Sequence, residues 1–215
     1  MMRRLVQHTR VRAAGRDLTN LIRYGAAAPR AHQLVFVRAE SITSALRSGV
    51  PQIRSATVID GDWDLAVKPL TEVAHIRQCL ERWNGSTWEK VGAIDHVLNL
   101  IAAGGGVHGG MSSREDVEQR YDAVDLLHET VRSSGRLNTR REVSARGFRE
   151  YGGILIHFGR DAQPIFNGWQ GCHRLAAAIR CDLEWIPVQV GMVHRDATTL
   201  WRSTVRTRRP GDEAD

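Results

Sequence analysis

Residues 165–178 read Ile165-Phe166-Asn167-Gly168-Trp169-Gln170-Gly171-Cys172-His173-Arg174-Leu175-Ala176-Ala177-Ala178. A β-branched and aromatic pair gives way to a polar loop with two glycines, and the loop to an Ala- and Leu-rich run, so the stretch reads strand, loop, helix. Working outward, 154–158 is apolar and β-branched, Gly159-Arg160-Asp161-Ala162-Gln163 is a turn and 164–166 a return strand, which together make a hairpin. Downstream, the helix occupies 172–180, and 186–193 is a closing strand. Strands alternating with helix place this region in the α/β class.

Three amphipathic helices precede the hairpin. Val73, Ile76, Leu80 and Trp83 share a face of the first, which Asn84-Gly85 ends. Ser86-Thr87-Trp88-Glu89 has the form of a capping box for the second, whose stripe is Val91, Ile94, Leu98 and Ile101. Ser112-Ser113-Arg114-Glu115 opens the third, with Val117, Tyr121, Val124, Leu127 and Val131 on one face and Gly135 at its C-terminal end. Residues 136–150 are basic and irregular. Nearer the N-terminus, Leu18, Leu21 and Ile22 form one face of a short helix broken by Gly25 and Pro29; 34–37 is a strand, 41–46 a short helix and 57–59 a second strand. The expected organisation is a basic arm (1–54), a helical extension (55–111), an α/β domain with a small mixed sheet (112–201) and a polar tail (202–215).

Charge is unevenly placed along the 215 residues. The net +6 divides into +8 over 1–54, −3 over 55–201 and +1 over 202–215. The basicity thus belongs to the arm and not to the part that carries the glycine loop. Only Lys68 and Lys90 are lysines, so the 30 basic residues are almost all Arg. Mean hydropathy of −0.33 with 42% hydrophobic residues is that of a folded chain. No apolar run approaches the ~18–20 residues of a bilayer span, and the N-terminus lacks the apolar core of a secretory signal. Cys79, Cys172 and Cys181 are odd in number and include no CxxC pair. Cys172 and Cys181 bracket one helix, whose rise separates them by roughly 13 Å, too far for a disulfide. A reduced, cytoplasmic setting without a membrane partner is the expectation.

The chemistry concentrates at the turn 167–174. The first N–H groups of a helix lack intrahelical partners and carry the positive end of the dipole. A glycine loop lets a ligand approach the backbone, and His173 and Arg174 add donors and charge, an arrangement suited to an anion, most often a phosphate. Cys172 at that position is expected to have a depressed pKa and thiolate character. A plain helix start with a packed cysteine has the same spacing.

Gly171-Cys172-His173-Arg174, the Ala-rich helix and Trp185-Ile186-Pro187-Val188-Gln189-Val190 resemble the GCHR…IPV segment of sulfiredoxin and the corresponding segment of ParB-type N-terminal domains. The resemblance covers roughly 112–193, with 136–153 an insertion. It implies a ParB/sulfiredoxin-like small α/β fold and a nucleotide, ATP or another NTP with or without Mg²⁺, bound by its phosphates at Gly171–Arg174. By the same resemblance Cys172 is a reactive thiol, and His173 and Arg174 contact phosphates. The implied activity is phosphoryl transfer or NTP hydrolysis.

Other residues carry candidate chemistry as well. Trp169, in the loop, is a candidate platform for a nucleobase or a core side chain. Glu150, before the hairpin, is a candidate general base or a surface carboxylate. Asp60, Asp62 and Asp64 alternate and read either as oxygen ligands for a hard cation or, preferably, as a solvated turn. Gly104–Gly110 is glycine-rich without the Lys-Ser/Thr of a P-loop and reads as a flexible connection. His194-Arg195-Asp196 spells a kinase triplet without its downstream Asn, by chance. The alternative function is a DNA-binding protein or nuclease of ParB type that contacts nucleic acid through residues 1–54.

Overall fold

A computed structural model describes residues 2–49, 55–104, 110–144 and 147–211. Its frame is one mixed sheet. The strands are β1 (Leu34–Arg38), β2 (Ser44–Leu46), β3 (Val58–Ile59), β4 (Val67–Pro69), β5 (Ile154–Phe158), β6 (Pro164–Phe166) and β7 (Trp185–His194). Their order is β1-β7-β5-β6-β2-β4, with β3 pairing the far end of β7. β5 and β6 are the expected antiparallel hairpin, and β7 lies parallel to β5 with Ile154 opposite Val188. That parallel pairing needs a crossover, which the helix after the loop supplies.

The helices are α1 (Met2–Tyr24), α2 (Ala74–Trp83), α3 (Ala93–Ala102), α4 (Arg114–Ser134), α5 (Arg140–Val143) and α6 (Cys172–Arg180). α6 packs against α2 and α4, and α3 against α4. Their apolar faces meet one side of the sheet in the main core, where Ile76, Val117, Val131, Leu175 and Ala176–Ala178 lie over Ile154, Ile156, Phe158, Ile186, Val188 and Val190. The alanines let α6 sit close to the strands. A smaller cluster, Leu46, Ile165 and Met192 with Ile59, Trp63 and Val67, includes residues that alternate with the main-core set along β6 and β7.

Several local expectations change. Residues 44–46 form β2 and not a helix: Ala45 pairs with Phe166 on one side and Lys68 on the other, and strand pairing overrides the weak helical pattern of so short a run. β1 and β2 place part of the expected basic arm inside the sheet. α1 extends to Tyr24, but it packs through Ala13 and Asn20, while Leu18, Leu21 and Ile22 are exposed. Polar bonds dock it: Asn20 donates to the carbonyls of Pro29 and Ala56 at 2.8 Å each, and Asp17 pairs with Arg149 at 2.7 Å. α3 begins at Ala93 and not at the Ser86 capping box, because Gly92 sits at φ +71°; Thr87 caps only a turn, accepting from the Lys90 N–H at 3.2 Å. The box on α4 lies one residue later than read, between Ser113 and Asp116, and Gly135 closes that helix as expected. The irregular stretch after it contains α5, opened by a Thr139–Glu142 capping box.

Candidate anion site at the start of helix α6

The loop before α6 is laced to β5. Asn167, itself buried, receives the N–H groups of Trp169 and Gln170 on its side-chain oxygen at 3.2 and 2.9 Å. Gln170 donates to the Gly153 carbonyl at 2.9 Å. The loop ends at Gly171, whose φ is +89° and whose missing side chain is replaced by β5: a Cβ there would lie 2.6 Å from the Ile154 Cα. Only glycine meets both conditions. Gly171 is the N-cap of α6 and no side chain caps the helix, so the first turn presents its backbone donors uncapped.

A cavity of about 610 Å³ opens in front of this turn. Gly171, Cys172, His173 and Arg174 form one wall; Arg140 lines it from α5, Gly152 from the turn before β5, and Trp169 and Gln170 from the loop before α6; His75, His96, Arg120 and Tyr121 line it from α2, α3 and α4. Val97, Leu100, Met111, Val124 and Leu127 make the rest apolar. The structure thus brings Gly171, Cys172, His173, Arg174 and Trp169 to one cavity. Trp169 is 49% exposed, so the core-packing alternative does not hold for it.

Arg174 is 9% exposed. Its Nη2 donates to the Asn138 carbonyl and lies 3.9 Å from Glu150 Oε1. Its Nε makes no hydrogen bond, and neither does Arg140 Nε; both are buried. A buried guanidinium with an unused donor is costly, and burial lowers the Arg174 pKa, only partly offset by Glu150. Glu150 is not a surface carboxylate. It is 0% exposed, with both oxygens accepting from the Arg140 N–H at 3.1 and 2.9 Å, and burial raises its pKa despite these bonds and the neighbouring arginines. It stands behind Arg174 and is not among the cavity-lining residues. In that place it positions two arginines.

Two expectations about the turn are overturned. Cys172 is 5% exposed and its thiol donates to the Trp169 carbonyl at 2.7 Å. Burial pushes its pKa up to about 12 from an ordinary 9.0, a displacement worth about 4 kcal/mol. The helix end is worth only ~0.3–1 kcal/mol, so burial wins and the thiolate is not formed. His173 does not add charge: burial, then Arg120 and His75, lower its pKa to about 4, leaving a neutral imidazole at pH 7. It stands in a row of rings, 6.1 Å from His75, which is 6.0 Å from His96. The site's positive charge comes from Arg120, Arg140 and Arg174.

The remaining candidates lie elsewhere. Arg160 takes Asp62 and Asp64 at 2.7 and 2.8 Å, and Arg195 takes Asp60 at 2.5 Å, so the acidic triplet is neutralised by arginines. Asp64 is buried and not a solvated turn residue. His194 donates to the Gly61 carbonyl at 3.0 Å and accepts from the Asp196 N–H, which gives the kinase-like triplet a structural use. Of the glycine-rich connection, residues 105–109 lie outside the described residues. Among the described residues, no group of three or more His, Cys, Asp or Glu is placed to hold a metal ion, and no helix is long and apolar enough to cross a membrane.

Sequence reasoning missed Arg140, Arg120, His75 and His96. Arg140 carried a signal, the Thr139-x-x-Glu142 box that fixes it at a helix start. The other three stand on polar positions of amphipathic helices, and nothing local marks them. No family model, curated protein or solved structure matches the chain.

Proposed function

We propose that this protein binds a nucleotide, ATP or another NTP, with its phosphates at the first turn of α6. The observation that carries this reading is a pair of arginines, buried Arg174 and part-buried Arg140, that line one cavity together with an uncapped helix N-terminus and whose Nε donors are unused. Oriented donors in a partly desolvated space are what a phosphate requires. Trp169, half-exposed on the same cavity, supplies an apolar face for the base. The GCHR-like turn supports the same ligand. The activity proposed is phosphoryl transfer or hydrolysis, in which the protein chiefly positions and neutralises phosphates. Cys172 has no place in it as a nucleophile.

Calorimetric titration with ATP, ADP, CTP and GTP, followed by phosphate release, tests the proposal. Binding by at least one nucleotide, weakened about tenfold (~1.4 kcal/mol) by Arg140→Ala, is the expected result. Arg140 is the better probe because Arg174 also holds Asn138 and Glu150. If none of the four binds, the proposal fails.

A second reading, nucleic-acid binding, draws on Arg10, Arg12 and Arg23, which are exposed on α1. Removing 1–54 would take two strands from the sheet, so the clean variant is the triple Arg→Gln at those positions. It should flatten the salt dependence of DNA affinity if this reading holds.

A further inference from the structure

The nucleotide reading leaves open how the phosphate charge is balanced, and the donor set at the cavity speaks to that. Mg²⁺ wants oxygen ligands, commonly one or two carboxylates together with phosphate oxygens and water. Among the described residues that line the cavity there is no Asp or Glu. The adjacent acid, Glu150, is 0% exposed and spends both oxygens on the Arg140 N–H. The three imidazoles are poor ligands for so hard a cation. What faces the cavity instead is Arg120, Arg140 and Arg174. Among the residues that line the cavity, the buried atoms that lack partners, Arg140 Nε and Arg174 Nε, are donors and unable to receive a cation. The residues present do not fit a magnesium site.

We infer that the cavity takes its nucleotide as the metal-free anion, with arginine guanidinium groups in the place where other phosphate sites put a divalent cation. This rests on the nucleotide reading above. Each phosphate oxygen that binds Mg²⁺ is withdrawn from a guanidinium, and the complex carries less negative charge into a cavity whose charged lining, among the described residues, is positive. Magnesium therefore competes with the protein for the ligand.

Titration of the full chain with ATP in excess EDTA and again in excess Mg²⁺ tests this. The expected result is a Kd in EDTA lower than that in Mg²⁺. The Arg140→Gln variant should lose about tenfold in affinity in EDTA (~1.4 kcal/mol), with less loss in Mg²⁺. Equal binding in the two buffers, or tighter binding in Mg²⁺, overturns the inference and leaves the nucleotide reading standing. No binding in either buffer removes both.

Discussion

Two polar clusters sit at opposite ends of β5, and they use arginine differently. At the C-terminal end, Arg160 closes the turn 61–64 onto the hairpin: its N–H and Nε reach Asp64 Oδ2 at 2.8 and 3.0 Å, and its Nη2 reaches Asp62 and Asp64 Oδ1. Its donors meet carboxylate oxygens at short range. At the N-terminal end, Arg174 faces a single carboxylate at 3.9 Å, and its Nε goes unused beside a cavity. The first cluster is a clasp, complete without any ligand. The second has donor capacity left over, and that surplus separates a binding site from a structural ion pair.

The largest test of this contrast is at the hinge of the second cluster. Gly171→Ala forces a Cβ against the Ile154 backbone at positive φ and should cost about 3 kcal/mol in urea unfolding. Gly135→Ala also has positive φ but open space, and should cost about 1 kcal/mol. Equal losses would mean that the close approach at Gly171 does not matter.

The clasp and the site should also respond to pH with opposite sign. Burial pushes the Asp64 carboxyl up, but the hydrogen bonds and charge of Arg160 outweigh it and hold the pKa below the usual range. Its stabilisation is therefore present above the unfolded pKa and is lost as pH falls through the lower folded value. Glu150 is raised by burial, so its contribution is fully present below the unfolded pKa and is lost as pH rises through the folded value. Asp64→Asn should cost about 2 kcal/mol at pH 7 and progressively less toward pH 3. Glu150→Gln should cost less at pH 7 than at low pH, because burial disfavours the charged form of the carboxyl. Urea denaturation across pH 3–8 reads both, and parallel curves would remove the distinction.

The smallest expected effect concerns the thiols. Cys79 and Cys172 are buried, with pKa values pushed up to about 12 by burial, whereas Cys181 is partly exposed. Alkylation at pH 8 should label Cys181 first. Cys172→Ser should leave nucleotide affinity within about twofold, since the hydroxyl can still donate to Trp169. Fast labelling of Cys172 would restore the reactive-thiol reading.

How far the sequence carried depends on the range of the contacts involved. The hairpin, loop and α6 were legible because each is marked within a few residues by β-branched runs, glycines and alanines. β2 and β4 were not, because strands of three residues are made by partners far along the chain: Ala45 meets Phe166. The site divides in the same way. The turn at Gly171–Arg174 was readable, but Arg120, Arg140, His75 and His96 reach it from other helices. The position of Cys172 at a helix start was readable too. The core packed against it was not, and that core reverses its acidity.

A crystal structure of the chain grown with ATP tests the central claim most directly. The account predicts phosphate density at the first turn of α6, within hydrogen-bond distance of the Arg140 and Arg174 guanidinium groups. Density for the nucleotide elsewhere, with this cavity holding only water at saturating ATP, would contradict it.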